Sequence, residues 1–444
     1  MKLIDQVILR IGQDSDFMRF PTTMAGESVV LLGYQTFFDF AETLRHLQAQ
    51  SARIADTDGR DSPPLIQGLG QFLDEPDADR LVSLLMRGQL LIWFEGRERI
   101  ISFTPTARLL SRNIEAPITE SVVRGSISAF VEDMDTNIGL IRKHAAAEDL
   151  RTQSYWTGAD KQKQIVLIYR ERCVIPGLLE GVIQKLEENI SMNVQNLQNL
   201  SSMLGFNPWT SITKFNSTEL PQEVEMALQK GKVVLMLDRF PFALVVPSLL
   251  TDMFAVENDR NFPLLFMYLT RFLRIIGVLT NVIIPGLYVS LVSVNPDLLR
   301  IEIALTIARS RMDVPYPSLV ETLLLLIILE LIIEASIRLP KSIGPTLTMV
   351  GGIILGQAVV SAKLVSNILI IVLAATTISS STVVGYHNSL TIRAFKYLIL
   401  FLSAGFGLYG LVAGLILICA YMASVTSFGI PYVHLMKPSG DSNG

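Results

Sequence analysis

Residues 315–338 read PYPSLVETLLLLIILELIIEASIR. The run is long and apolar enough for a membrane-crossing helix, which needs about 20 mainly apolar residues. Yet it carries Glu321, Glu330, Glu334 and Arg338. A charge near the middle of a bilayer costs roughly 3 kcal/mol or more. At about 100° per residue, Glu330, Glu334 and Arg338 fall on one stripe, and Glu321 falls on the other side. Lipid is a poor neighbour for that stripe, so it is expected to face protein or water.

Outward from this run the chain divides. Of 444 residues, half are hydrophobic, with a mean hydropathy of +0.42 and a formal net charge of −4. Residues 1–245 mix charged and apolar side chains as soluble proteins do. Residues 275–294 and 397–433 carry no charged side chain, and 346–392 carry only Lys363. Up to five spans are expected, near 275–294, 316–338, 345–361, 365–386 and 397–424. The third is at the lower length limit. Pro340, Gly344 and Pro345 break the chain before it. The segment 294–317 has an amphipathic centre with three arginines, as in an interfacial or re-entrant helix.

The first residues, MKLIDQVILRIGQDSD, have no apolar core of signal-peptide length, so the first span is expected to direct insertion and leave the soluble half cytoplasmic. Arg271, Arg274, Arg338, Lys341, Arg393 and Lys396 then fall inside. Arg300, Arg309, Arg311, Lys363 and Lys437 fall outside. This charge bias is too even to fix the side of the C-terminus. Cys173 and Cys419 sit in different halves, which argues against a bridge. Four scattered histidines give no metal spacing. Neither a cofactor nor a nucleic-acid partner is indicated.

The soluble half reads as a duplication. LLMRGQLLIWFEG (84–96) and ALQKGKVVLMLDR (227–239) share a helix–glycine–strand pattern, with Gly88 and Gly231 placed as helix-ending glycines. ESVVLLGYQ (27–35) and KQIVLIYRE (163–171) are matching buried-strand patterns, each followed by a helical one. The segment 51–64, SARIADTDGRDSPP, reads as a charged surface loop. The expected fold is a multi-domain membrane protein: two related α/β (α+β) soluble subdomains, then an all-α transmembrane bundle of four to five spans. The expected division is 1–150 with a linking helix, 151–250, 251–436 and a short polar tail, 437–444.

Three constellations are candidates for function. Glu330 and Glu334 are candidates for an ion path, with Arg338 bridging to Glu334 as a packing device, because oppositely charged groups four apart on a helix attract. AATTISSSTVV (374–384) adds Thr377, Ser380 and Ser381 as path candidates. Its hydroxyls can equally bond back to their own helix. Gly352 with Gly356, and Gly410 with Gly414, form small-residue motifs that allow close helix approach. Pro340 and Gly344 complete the structural set. No phosphate loop, dinucleotide fingerprint or nucleophile elbow is present, so an enzyme is not expected.

RSRMDVPYPSLVE (309–321), LELIIEASIRLPKSIGPTLTMVGGIILGQAVVSAKLVS (329–366), FGLYG (406–410), SVTSFGIPY (424–432), DTNIGLIRKHAAAEDL (135–150) and KGKVVLMLDRFPFALVVPS (230–248) together resemble the A subunit of GerA-type spore germinant receptors. The resemblance covers nearly the whole chain. It implies an integral protein of the spore inner membrane with a cytoplasmic N-terminal region. It implies partners: a transporter-like B subunit that senses nutrients, a C lipoprotein and membrane lipid. It further implies a homo-oligomeric ring, with a pentamer suggested, forming a nutrient-gated channel that releases cations to start germination. Three positions depart from the family pattern. Tyr421-Met422 replaces a common histidine–leucine pair. Arg239 stands where glycine is common. The tail after the S-F-G-I-P-Y block is short. A non-conducting scaffold that organises the receptor is the alternative.

Overall fold

The computed structural model describes residues 3–24, 27–55, 70–73, 76–96, 99–106, 117, 128–158, 163–256, 259, 261–339 and 344–434. Most of the expected loop at 51–64, Pro340 and the tail 437–444 lie outside them.

The soluble half contains two copies of one arrangement. The first runs α1 (Leu3–Ile11), β1 (Phe17–Met24), β2 (Glu27–Tyr34), α2 (Phe40–Ala55), β3 (Gln71–Phe72), α3 (Ala78–Met86), β4 (Leu90–Phe94) and β5 (Arg99–Phe103). The second runs α4 (Met134–Ala145), β6 (Leu150–Thr157), β7 (Lys163–Arg170), α5 (Leu178–Glu188), α6 (Leu197–Met203), β8 (Asn216–Thr218), α7 (Pro221–Gln229), β9 (Val233–Leu237) and β10 (Ala243–Val246). Each forms a five-stranded antiparallel sheet, in the order β1-β2-β4-β5-β3 and β6-β7-β9-β10-β8. The matched order shows that the two sequence repeats are structural repeats.

Helices cover both faces of each sheet, which explains why the central strands read as unbroken apolar runs rather than alternating ones. Val30 and Leu32 of β2 pack with α1 and α3, while Val29 and Leu31 pack with α2. In the second copy Val166 and Ile168 meet α4 and α7, and Ile165 and Leu167 meet α5 and α6. Gly88 and Gly231 follow α3 and α7 with φ of 80° each, a left-handed position that favours glycine.

The helix read as a linker is shorter than its sequence pattern. Asp133 caps α4 by accepting from the Thr136 amide at 3.0 Å, and Ala146 ends it at φ 39°. Its apolar side, Met134, Ile138 and Ile141, packs on the second sheet. Its Arg142 reaches the first repeat and is 2% exposed. Arg142 donates twice to Asp16, at 2.8 and 2.6 Å, and lies 3.4 Å from Asp14. Its guanidinium sits 4.0 Å from the centre of the Tyr34 ring. Tyr34 donates to Asp14 at 2.9 Å, and Thr152 of β6 donates to Asp16 at 2.7 Å. Residues of both repeats therefore meet on one buried ionic cluster.

Arg239 adopts φ 61°. A side chain there strains the backbone by roughly 1–2 kcal/mol. Arg239→Gly is expected to raise stability by about 1 kcal/mol after the extra freedom of the unfolded chain is subtracted. Thermal unfolding of the full chain in detergent checks this, and an unchanged or lower midpoint refutes it.

The membrane-like half comprises α8 (Leu264–Val289), which continues as a π-helical turn, Ser290–Val294, then α9 (Ile301–Arg311), α10 (Ser318–Arg338), α11 (Gly344–Ser361), α12 (Asn367–Ser380) and α13 (Tyr386–Ser424). A short hairpin, β11 (Thr426–Ser427) and β12 (Ile430–Pro431), follows. Among the described residues, Leu264–Val294 and His387–Ser424 are long and apolar enough to cross a membrane. The apolar helix at the expected 275–294 span starts earlier, at Leu264. The expected 365–386 span is a helix of only 14 residues, because Ser366 caps it and Ser381 ends it.

The expected 397–424 span is not one straight helix. Gly407 leaves the helical region, with φ 62° and ψ −139°. The Phe395 and Tyr421 rings lie 6.2 Å apart, and a Cβ on Gly414 would lie 3.1 Å from Ile399. A straight helix would separate residues 399 and 414 by about 22 Å. α13 is therefore a helical hairpin with arms 386–406 and 408–424. Its tip meets the end of the first helix, where Asn295 Oδ1 accepts from the Leu408 amide at 2.9 Å.

Both ends of the hairpin consequently return to the side where α8 begins. There Arg274 donates to the Phe254 carbonyl at 3.0 Å and to Asp259 at 2.8 Å. The β11–β12 hairpin docks on the soluble half, with the Leu250 amide donating to the Tyr432 carbonyl at 2.9 Å. Charge counting left the side of the C-terminus open. This docking puts the described end of the chain, up to residue 434, beside the soluble half.

Candidate functional site

α10 forms because its interior is a run of leucine and isoleucine; it breaks off after Arg338, at Leu339 in extended backbone. Its charged residues go to three different places. Glu321, in the first turn, is fully buried. One oxygen accepts from the Ser366 amide at 2.6 Å, at the start of α12, where the helix end favours negative charge. The other lies 3.2 Å from Arg311 of α9.

Glu334 and Arg338 pair with each other at 3.0 and 2.6 Å on an exposed face. Glu330 does not join them. Arg393 Nη1 donates to Glu330 Oε2 at 2.9 Å, and Lys396 Nζ donates to Oε1 at 3.0 Å, both from the first arm of α13.

These three charges wall a cavity of about 10 Å³, enough for one water-sized guest. Thr376, Thr377 and Ser380 of α12 also line it, as does Asn281 of α8. Each hydroxyl hydrogen is spent within α12. Thr376 and Thr377 each donate to the Leu373 carbonyl at 2.8 Å, and Ser380 donates to the Thr377 carbonyl at 2.6 Å. Oxygen lone pairs remain for the cavity. Asn281 is 1% exposed, and neither amide atom has a hydrogen-bond partner. By helix rise, Asn281 lies about 21 Å from the hairpin tip and about 26 Å from Leu264, so the cavity lies near the middle of the apolar helix.

The structure thus brings Glu330, Thr377 and Ser380 together. Ser381 lies past the end of α12 and is exposed, away from them. Gly344 opens α11. A Cβ on Gly352 or Gly356 would meet nothing within 4 Å, so this motif packs on no described neighbour. Gly410 and Gly414 lie inside the α13 hairpin, against Leu402 and Ile399. Sequence reading missed Arg393, Lys396 and Asn281. In the sequence the first two flank the expected span that starts at residue 397. A lone asparagine within an apolar run is the signal that identifies Asn281.

A second, open crevice of about 470 Å³ lies at the junction of the two repeats, lined by Arg10, Asp79, Glu148, Asp149, Arg151, Glu171 and Arg172. Its charges largely satisfy one another, as Arg10 with Asp79 and Arg151 with Glu171 at 3.0 Å. Among the described residues, no group of three or more metal-ligating side chains is present.

A family profile described as Bacillus/Clostridium GerA spore germination protein matches residues 17–443. The chain is 32% identical over 374 residues to spore germination protein GerLA of Bacillus cereus, covering 84% of this chain and 75% of that one. It is 32% identical over 363 residues to spore germination protein A1 of Bacillus subtilis (strain 168), covering 82% and 74%. The crystal structure of the N-terminal domain of the A subunit of the Bacillus megaterium spore germinant receptor GerK3 aligns with a TM-score of 0.41 and 19% identity. It covers 55% of this chain and 93% of that domain.

Proposed function

The chain belongs to the GerA spore germination protein family, and on that premise we propose that it is the A subunit of a nutrient germinant receptor that assembles into a nutrient-gated cation channel. The relatives compared above are named as spore germination proteins, and the protein is not an enzyme. The proposed setting is the spore inner membrane, with the N-terminal region in the cytoplasm and a homo-oligomeric ring, such as a pentamer, working with a transporter-like B subunit and a C lipoprotein. The division of the chain near residues 150, 250 and 436 belongs to the same proposal, with α4 serving both soluble repeats.

One observation carries the channel reading: Glu330, Thr377 and Ser380 meet on one partly buried cavity with charged and hydroxyl groups in its lining, among apolar helices. Buried ionisable groups in such helices mark ion pathways more often than chance. The test is cation efflux from liposomes holding the receptor assembled with its partners. Glu330→Ala is expected to change nutrient-driven efflux by at least about tenfold, since about 1.4 kcal/mol suffices for that factor. Glu334→Ala, at an exposed pair, is expected to change it by less than about twofold. Efflux unaltered by Glu330→Ala overturns the assignment.

The scaffold reading draws on a specific feature too: the cavity holds no more than one water, and Glu330 is already neutralised. Absence of nutrient-driven efflux from the complete receptor, with nutrient binding retained, would establish the scaffold instead.

A further inference from the structure

We propose that Arg393 and Lys396 are the resting lock of the cation path, two tethered cations seated on Glu330 in the place of a mobile one. This rests on the channel reading. Three features of the cavity carry it.

The first is a conflict between lining and charge. The lining offers oxygens that suit a monovalent cation: three hydroxyl oxygens with their hydrogens committed elsewhere, a carboxylate, and the side-chain oxygen of Asn281, whose amide nitrogen is equally unpartnered. Oxygen lone pairs of this kind replace a cation's hydration shell. The charge is opposite. Glu330 contributes −1 and Arg393 with Lys396 contribute +2, leaving the cavity wall at +1, which repels a cation. The neighbouring Glu334 and Arg338 pair internally and add nothing. An oxygen-lined cavity with a net positive wall is a closed cation site.

The second is one-to-one occupancy. Each oxygen of the Glu330 carboxylate takes one donor, Oε2 from Arg393 and Oε1 from Lys396. Both donors come from a single helix arm, so one displacement of that arm uncovers both oxygens.

The third is a handle on that arm. Thr391, two residues before Arg393, donates to the carbonyl of Ser211 in the soluble half at 2.6 Å. The ring of His387 lies 6.2 Å from that of Phe215. The returning arm is held by the same loop, since the Ser211 amide donates to Tyr421 Oη at 3.3 Å. A shift of the loop around Ser211 moves the arm that carries the lock, while α10 holds Glu330 from a separate helix. The soluble half thereby has a direct mechanical route to the cavity.

The test uses the receptor assembled with its partners in potassium-loaded liposomes, measured with and without nutrient. Lys396→Met keeps the length and removes the charge. Arg393→Gln loosens the second clasp and serves if Lys396→Met assembles poorly. Either is expected to raise efflux without nutrient by about tenfold or more. Lys396→Arg keeps the charge and is expected to stay as tight as wild type. If wild type responds to nutrient but Lys396→Met and Arg393→Gln are silent without it, the lock is overturned and the channel reading stands. Equal leak from Lys396→Arg and Lys396→Met also overturns the lock, since charge is then irrelevant. If wild type gives no nutrient-driven efflux, the channel reading itself fails.

Discussion

Arg142→Leu is expected to destabilise the junction of the two soluble repeats by about 3–5 kcal/mol, the usual cost of stranding one partner of a buried ion pair. Asp14 and Asp16 are 4% and 7% exposed, so neither recovers full hydration when the guanidinium is lost. Burial alone would push the Asp16 carboxyl up, but the charge and hydrogen bonds of Arg142 overcome it and hold Asp16 below the ordinary range. Asp14 is the reverse case: burial dominates, and its carboxyl stays above that range. Hydrogen exchange of β1 and β6 in the full chain in detergent reads the loss locally. Converting both carboxylates as well, Asp14→Asn with Asp16→Asn, is expected to recover part of the loss, because no charge is then left unpaired. A cost below about 1 kcal/mol for Arg142→Leu alone would mean that the cluster is solvated on demand.

The same two carboxylates set a pH signature with opposed signs. The contribution of Asp16, whose folded value is depressed, is fully present above the ordinary Asp value of about 3.9 and is lost as pH falls through the depressed one. Asp14, whose folded value is raised, resists ionisation in the folded state. Its burden on stability is relieved as pH falls through that raised value. Mild acidification toward pH 4 is therefore expected to stabilise the junction slightly, with the loss beginning only below it.

Much of this was legible from the residues because the signals were local. Gly88 and Gly231 each end a helix before a buried strand, and a repeated local pattern forces a repeated local structure. What was hidden depends on contacts between residues far apart in the sequence. Arg142 lies 126 residues from Asp16, and in the sequence it is one basic residue near the end of an amphipathic helix. Glu330 and Lys396 are 66 residues apart. Hydropathy made Lys396 the border of a span, whereas the helix begins ten residues earlier and carries its two cations inward. The hairpin was hidden for a different reason. The chain carries no charge from residue 397 to residue 424, so hydropathy shows no break at Gly407, and a glycine inside such a run reads as packing rather than as a turn.

The S-F-G-I-P-Y block supplies the second large effect. Phe428 and Gly429 both take positive φ, 50° and 79°, turning the chain tightly between β11 and β12. That turn presents Phe428 to the second repeat, where its ring lies 5.4 Å from Phe206, edge to face, and joins the core cluster beneath α5. A Cβ on Gly181 of α5 would come within 3.0 Å of the Phe428 ring, so glycine is what lets the ring seat there. The plug follows the second arm of α13 directly, so it ties the end of that arm to the soluble half. Phe428→Ala is expected to cost about 1–2 kcal/mol of local stability, less than the roughly 1.5–3 kcal/mol of a fully buried phenylalanine because the ring is only partly buried, read as faster hydrogen exchange in α5 and 425–432. Gly181→Val is expected to expel the same ring from the opposite side. Because both substitutions break one contact, the double variant should lose little more than the larger single loss. In the assembled receptor Phe428→Ala is expected to lower nutrient-driven efflux by about tenfold or more. Efflux without nutrient should stay at the wild-type level, because Glu330 keeps both its clasps. Additive losses in the pair would show that Phe428 and Gly181 act separately. A leak without nutrient would show that the plug holds the lock shut rather than transmitting the signal that opens it.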